Sequence, residues 1–189
     1  MHSASVKKLV SAAMFLAIGL VLPLLTGQIR TIGNMLLPMH IPVMLCGLIC
    51  GWQYGLAVGF ILPLMRSMLF GMPHLFPNAV AMSLELATYG FVIGFLFLHA
   101  RWQCIRSLYR CLVAAMICGR IVWGFAEIVL LGISGSAFTM KAFLTGALLQ
   151  AIPGIILQLI LIPALMLALD KTHLVPFRTA SATKTATTE

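Results

Sequence analysis

Charge is scarce in this chain, and negative charge scarcer still. Only 8% of the 189 residues are charged, 12 basic and 4 acidic, the acidic ones being Glu85, Glu127, Asp170 and Glu189. Soluble domains carry about 25% charged residues, so a soluble globule of this length is excluded. The sequence has no GxxxxGK[ST] phosphate loop, which removes nucleotide hydrolysis by that route. It has no HExxH and no GxSxG, which removes the simplest intramembrane hydrolases. Cys46, Cys50, Cys104, Cys111 and Cys118 form no CxxC pair and lie in or beside apolar runs, so they read as small packing residues and supply no metal or redox site. No internal repeat marks an inverted-repeat transporter.

What is present is apolar. Hydrophobic residues make up 61% of the chain and the mean hydropathy is +1.08, so the solvent for most of the surface is lipid. The first apolar run carries on through Val21-Leu22-Pro23-Leu24-Leu25 without a small-residue cleavage site, and reads as a retained span near 9–25. The next block, 36–70, would be roughly 52 Å long as a single helix, against a hydrocarbon core of about 30 Å. Gly51-Trp52-Gln53 divides it into spans near 36–50 and 54–70, with Pro38, Pro42 and Pro63 as expected kinks. Further spans follow near 77–99, 108–132 and 142–169, the last long enough to tilt or to break near Pro153-Gly154. The expectation is an all-α integral membrane protein of six transmembrane helices, a single membrane domain over 1–171, with 172–189 a mobile cytoplasmic tail.

Loop charge supports that count. With both termini cytoplasmic, Lys7, Lys8, Arg101, Arg106, Arg110, Lys171, Arg178 and Lys184 lie inside, and Arg30, Arg66 and Lys141 lie outside. Treating 36–70 as one span leaves Lys7, Lys8, Arg66 and Lys141 inside and puts the remaining loop charges outside. The surplus of basic residues is therefore a record of topology and no argument for nucleic acid.

Glu85, Glu127 and Arg120 fall inside spans, where an ionisable side chain costs roughly 2.5–3.5 kcal/mol and asks for a partner or a task. Arg120 and Glu127 are two helical turns apart on one face. Counting residues from the span ends puts Glu85, Glu127, Gln150 on span six and His40 on span two at similar depth in the outer half, with Arg66 near the outer end of span three. Loop residues Asn34 and Asn78 and the aromatic residues Tyr89 and Trp123 border the same region. Two readings stay open: a buried ion-pair network that holds helices together, or an outward-facing pocket for a small, water-soluble, multifunctional ligand. His40 alone reads as a helix-packing hydrogen bonder before a metal ligand. Ala13 and Ala17, like Gly47, Gly51, Gly55 and Gly59, and Gly90 with Gly94, have the four-residue spacing that lets helices approach closely.

The succession Leu36-Leu37-Pro38-Met39-His40-Ile41-Pro42-Val43-Met44-Leu45-Cys46-Gly47, Gly51-Trp52-Gln53-Tyr54-Gly55-Leu56, Pro63-Leu64-Met65-Arg66-Ser67, Gly71-Met72-Pro73 and Glu85-Leu86-Ala87-Thr88-Tyr89-Gly90 resembles the substrate-binding (S) components of energy-coupling factor (ECF) vitamin transporters. The likeness is densest from about 7 to 99. It implies a six-helix transport subunit of a prokaryotic plasma membrane, without catalysis, cofactor or metal of its own. The subunit would bind one vitamin near its outer face and associate with a transmembrane coupling protein and two cytoplasmic ATPases, which would carry ATP and magnesium. Ala13 and Ala17 match the family's first-span contact with the coupling protein, and loops 26–35 and 71–76 would be lids. The Leu-Pro-Met-His-Ile-Pro block is most similar to the pantothenate branch, with cobalamin the competing branch. For pantothenate, Arg66 or Arg120 would take the carboxylate, and Gln150, Asn78 or Glu85 the hydroxyls and amide. The competing classes are an ion-coupled carrier using Arg120, Glu127 and Glu85 as a proton relay, and a membrane enzyme or structural subunit.

Overall fold

Backbone polar groups in hydrocarbon must be satisfied within their own segment, so long apolar runs in lipid become helices. The computed structural model describes residues 2–25, 38–133 and 152–171, and their regular structure is entirely helical. We label the helices α1 (His2–Leu25), α2 (His40–Cys50), α3 (Trp52–Phe70), α4 (Val80–His99), α5 (Ile105–Ile133) and α6 (Ile152–Lys171). A short π-type turn, Leu75–Ala79, leads into α4. Five of these six described helices are long and apolar enough to cross a membrane.

The exception is α2. At 11 residues it is about 16 Å long, half of what the expected span near 36–50 required. Residues 36 and 37 lie outside the described region. The reason a short helix suffices is its position: α1, α3, α4 and α6 all pack against it, and every residue from His40 to Leu48 is buried. It meets protein on all sides, so its length need not match the bilayer. Elsewhere the boundaries shift modestly from the expected ones. The first helix begins at His2 in place of residue 9, and α5 runs from Ile105 to Ile133. The span expected at 142–169 appears as α6, its first ten residues and the 172–189 tail lying outside the described region.

Lipid-facing and protein-facing stripes separate on the same helix. On α5, Val113, Ile117, Ile121, Phe125 and Ile128 are exposed at near-helical spacing, while Leu108, Leu112, Ala115 and Met116 are buried. An exposed run of large apolar side chains on one face, with the polar residues turned inward, is the inverse of a soluble amphipathic helix. Among the α1 residues whose side chains are described, only Ala12, Phe15, Gly19 and Pro23 are buried, and Ala13 and Ala17 are exposed.

Glycine sets the distance between α2, α3 and α4. A Cβ on Gly47 would stand 2.5 Å from the Gly90 carbonyl oxygen, one on Gly90 would strike the Gly55 carbonyl, and one on Gly59 the carbonyl of Leu86. These three backbones touch, as small residues permit in membranes. Two further glycines are required by conformation. Gly51 turns the chain between α2 and α3 at φ 104°, and Gly71 ends α3 at φ 68°, its N–H donating to the Ser67 carbonyl.

Candidate functional site

The tight α2–α3–α4 contact fixes the helices that carry the intramembrane polar residues. Glu85 lies five residues into α4 and is 2% exposed. Its Oε1 is the meeting point of three side chains from three helices. Arg120 Nη1 of α5 stands 3.1 Å away, the Tyr89 hydroxyl one turn along α4 donates across 3.3 Å, and His40 Nε2 at the start of α2 is at 3.6 Å. The last distance is longer than a hydrogen bond, so the imidazole is a neighbour of the carboxylate and is not bonded to it. A buried carboxylate with a guanidinium at contact distance avoids the penalty either charge would bear alone.

Tyr89 is the keystone of the packing here. Its ring meets the His40 ring edge-on, centroids 5.0 Å apart and planes at 70°. Its other side lies over Gly119, where a Cβ would come within 2.8 Å of the ring. The glycine therefore brings α5 close enough for the next residue, Arg120, to reach Glu85. Glu127, two turns further along α5, is buried and within electrostatic reach of Glu85. Trp123 is half-buried on the same helix.

Of the expected site residues, the structure thus gathers Glu85, Tyr89, His40 and Arg120, with Glu127 close by. Arg66 goes elsewhere. It is buried on α3, its Nη1 donates to the Leu20 carbonyl of α1 at 3.1 Å, and its guanidinium lies over the Phe70 ring at 5.5 Å. Its task is to dock α1 beside Pro23, where the helix ladder is already interrupted. Asn78 is exposed in the turn before α4. Asn34 and Gln150 lie outside the described residues, as does the expected lid 26–35.

Two contributors were not among the expected residues. Gly119 left only a weak trace in the sequence, a small residue beside an intramembrane arginine. Gln158 left a stronger one, an amide between Leu157 and Leu159 in an apolar run. It is 1% exposed on α6, which packs against α2 and α5, and its Nε2 has no hydrogen-bond partner among the described residues. A cavity of about 190 Å³ does exist in the bundle, but at another place. It is lined by Lys8, Gly51, Trp52, Gly94 and Gln103, at the end of the bundle where Gly51 turns, with Gly94 two and a half turns along α4 from Glu85.

The comparisons agree with this picture. The family model for the ECF transporter substrate-specific component matches residues 7–166, and the chain belongs to that family. No curated protein and no solved structure matches the chain. Membership makes this a membrane protein with a transport-subunit role, and it implies an ECF coupling module as partner.

Proposed function

We propose that this chain is the substrate-capture subunit of an ATP-driven vitamin uptake transporter, with the Glu85–Arg120–Tyr89–His40 cluster as part of its binding site. The observation that carries the proposal is that cluster: four polar side chains from three helices converge inside an otherwise apolar bundle. Small-molecule sites are built this way, from apolar walls and a few convergent polar groups. The chain has no phosphate loop, so ATP and magnesium belong to two cytoplasmic ATPases, joined to this subunit through a transmembrane coupling protein. The subunit is not itself an enzyme, both its termini are cytoplasmic, and it resides in a prokaryotic plasma membrane. Pantothenate is the best candidate substrate and cobalamin the competitor.

The test is thermal unfolding of the purified chain with single water-soluble vitamins, paired with mass spectrometry of co-purifying small molecules. Protection by one vitamin, and uptake that needs the ATPase module, are the expected results. Protection by none, together with uptake in the absence of ATPases, would sink the proposal.

One observation favours a second reading. Glu127 is buried near Glu85, so two carboxylates share one region of the membrane interior. In an ion-coupled carrier these would relay protons with Arg120. Uptake into vesicles containing this chain alone, driven by a pH gradient and abolished by Glu127→Gln, would decide for it.

A further inference from the structure

We infer that the Nε–Nη2 edge of Arg120 receives a neutral carbonyl group of the substrate, an amide, ureide or lactam, and that Gln158 is a further donor to the same ligand. The inference rests on the substrate-capture reading above and narrows its substrate class. A guanidinium presents its N–H groups along fixed edges. Nη1 of Arg120 is taken by Glu85 Oε1 at 3.1 Å. Nε and Nη2 are both shielded from solvent and have no hydrogen-bond partner among the described residues. These two nitrogens share one edge of the group, with their N–H bonds pointing the same way, and that edge is the one built for oxygen acceptors. Burying such donors without an acceptor is among the more expensive things a fold can do, and native structures rarely leave them so.

Among the described residues, the remaining buried polar side-chain atoms without a partner point the same way. They are Nε2 of Gln158 and both ring nitrogens of His40. The amide nitrogen is a donor only, and a neutral imidazole adds one donor and one acceptor. Donors therefore outnumber acceptors, which disfavours a cationic substrate. Charge disfavours an anion at this edge. Arg120 and Glu85 cancel, and Glu127 stands within electrostatic reach of Glu85, so a carboxylate here would leave net negative charge buried. A neutral carbonyl satisfies the donors without adding charge. Arg66 does not offer an equivalent site, because it is bonded to the Leu20 carbonyl. For pantothenate this places the amide carbonyl at Arg120 and gives the carboxylate no charged partner among the described residues of the site, so that its removal should cost little affinity.

The experiment compares ligands on the wild-type chain, so it does not depend on a variant folding. Affinity is measured in detergent for pantothenate and for panthenol, which keeps the amide and replaces the carboxylate by an alcohol. Biotin with its methyl ester, nicotinamide with nicotinate, riboflavin and thiamine are run beside them. Affinities of the charged and neutral members of the binding pair within about threefold are the expected result. A loss of about tenfold or more on removing the carboxylate overturns the inference, since that is the scale of a charge-assisted contact. So does tight binding of the cation thiamine. Both outcomes leave the substrate-capture reading standing, whereas no binding by any vitamin removes that reading and the inference with it. Gln158→Leu keeps the volume and is expected to weaken binding about tenfold with unchanged unfolding of the free protein. Unchanged affinity in that variant strikes Gln158 from the site.

Discussion

Arg120 Nη1 and Glu85 Oε1 stand 3.1 Å apart in the interior of the bundle, on neighbouring helices α5 and α4. The glutamate is almost wholly enclosed and the arginine is 15% exposed. Neither side chain can be removed alone without leaving its partner's charge in a medium that solvates it poorly. Breaking a buried pair by deleting one member costs about 3–5 kcal/mol, whereas replacing both by apolar groups is often near neutral. Glu85→Ala and Arg120→Met should therefore each lower the thermal midpoint of the detergent-solubilised protein sharply. The double variant should recover a large part of that loss while failing to bind substrate. Additive losses in the double variant would show that the two charges do not stabilise one another.

The glycine contacts predict a graded series. Gly90 faces the backbone of Gly55 directly, and a methyl group there has nowhere to go except by separating α4 from α3. Overpacking of this kind costs about 1–3 kcal/mol, and more when backbone is the obstacle. Gly132 near the end of α5 has nothing within 4 Å of its ideal Cβ among the described residues. Gly132→Ala should be neutral or stabilise by up to about 1 kcal/mol through helix propensity. Thermal unfolding of the two variants side by side checks whether close packing or propensity governs. Equal midpoints for Gly90→Ala and the parent would mean that α3 and α4 are looser than described.

These cases show what the sequence could and could not disclose. Glu85 and Arg120 were legible as charges in apolar runs, and the four-residue glycine spacing was legible as close helix approach. The rotation of each helix was not, because a hydropathy window treats lipid-facing and protein-facing leucines alike. Depth counting put Arg66 in the same outer region as the others, yet its helix turns it toward α1 and the Leu20 carbonyl. For the same reason α2 read as a full span: apolar residues enclosed by four helices look the same as apolar residues in lipid. Gln158 is visible as an amide in an apolar run, but its burial depends on the rotation of α6, and the role of Gly119 depends on a ring from another helix.

Arg66 is accordingly expected to separate stability from binding. Its guanidinium fastens α3 to α1, and a hydrogen bond to a charged donor is worth about 1.5–3 kcal/mol. Arg66→Met keeps much of the apolar stem and loses the donor. The variant should unfold at lower temperature and bind substrate with wild-type affinity once folded. A loss of affinity of about tenfold or more in folded Arg66→Met, read by titration, would return Arg66 to the substrate site.

Ala13 and Ala17 predict the opposite separation. Both are exposed on α1, on the side away from its buried residues Ala12, Phe15 and Gly19, so neither is needed for the internal packing of the bundle. On the transport-subunit reading, that small-residue face is where a coupling protein's helix comes close, since small side chains let two backbones approach within a membrane. A tryptophan at either position would hold the partner away without disturbing the Glu85 cluster on α4 and α5. Ala13→Trp and Ala17→Trp are therefore expected to bind vitamin as the parent does and to keep its thermal midpoint. Co-purification with the coupling protein and ATPases should fall away, and uptake with it. Two measurements on one preparation suffice: ligand titration of the isolated subunit and pull-down of the assembled complex. Impaired binding with intact assembly would place the two alanines in the packing of the subunit itself.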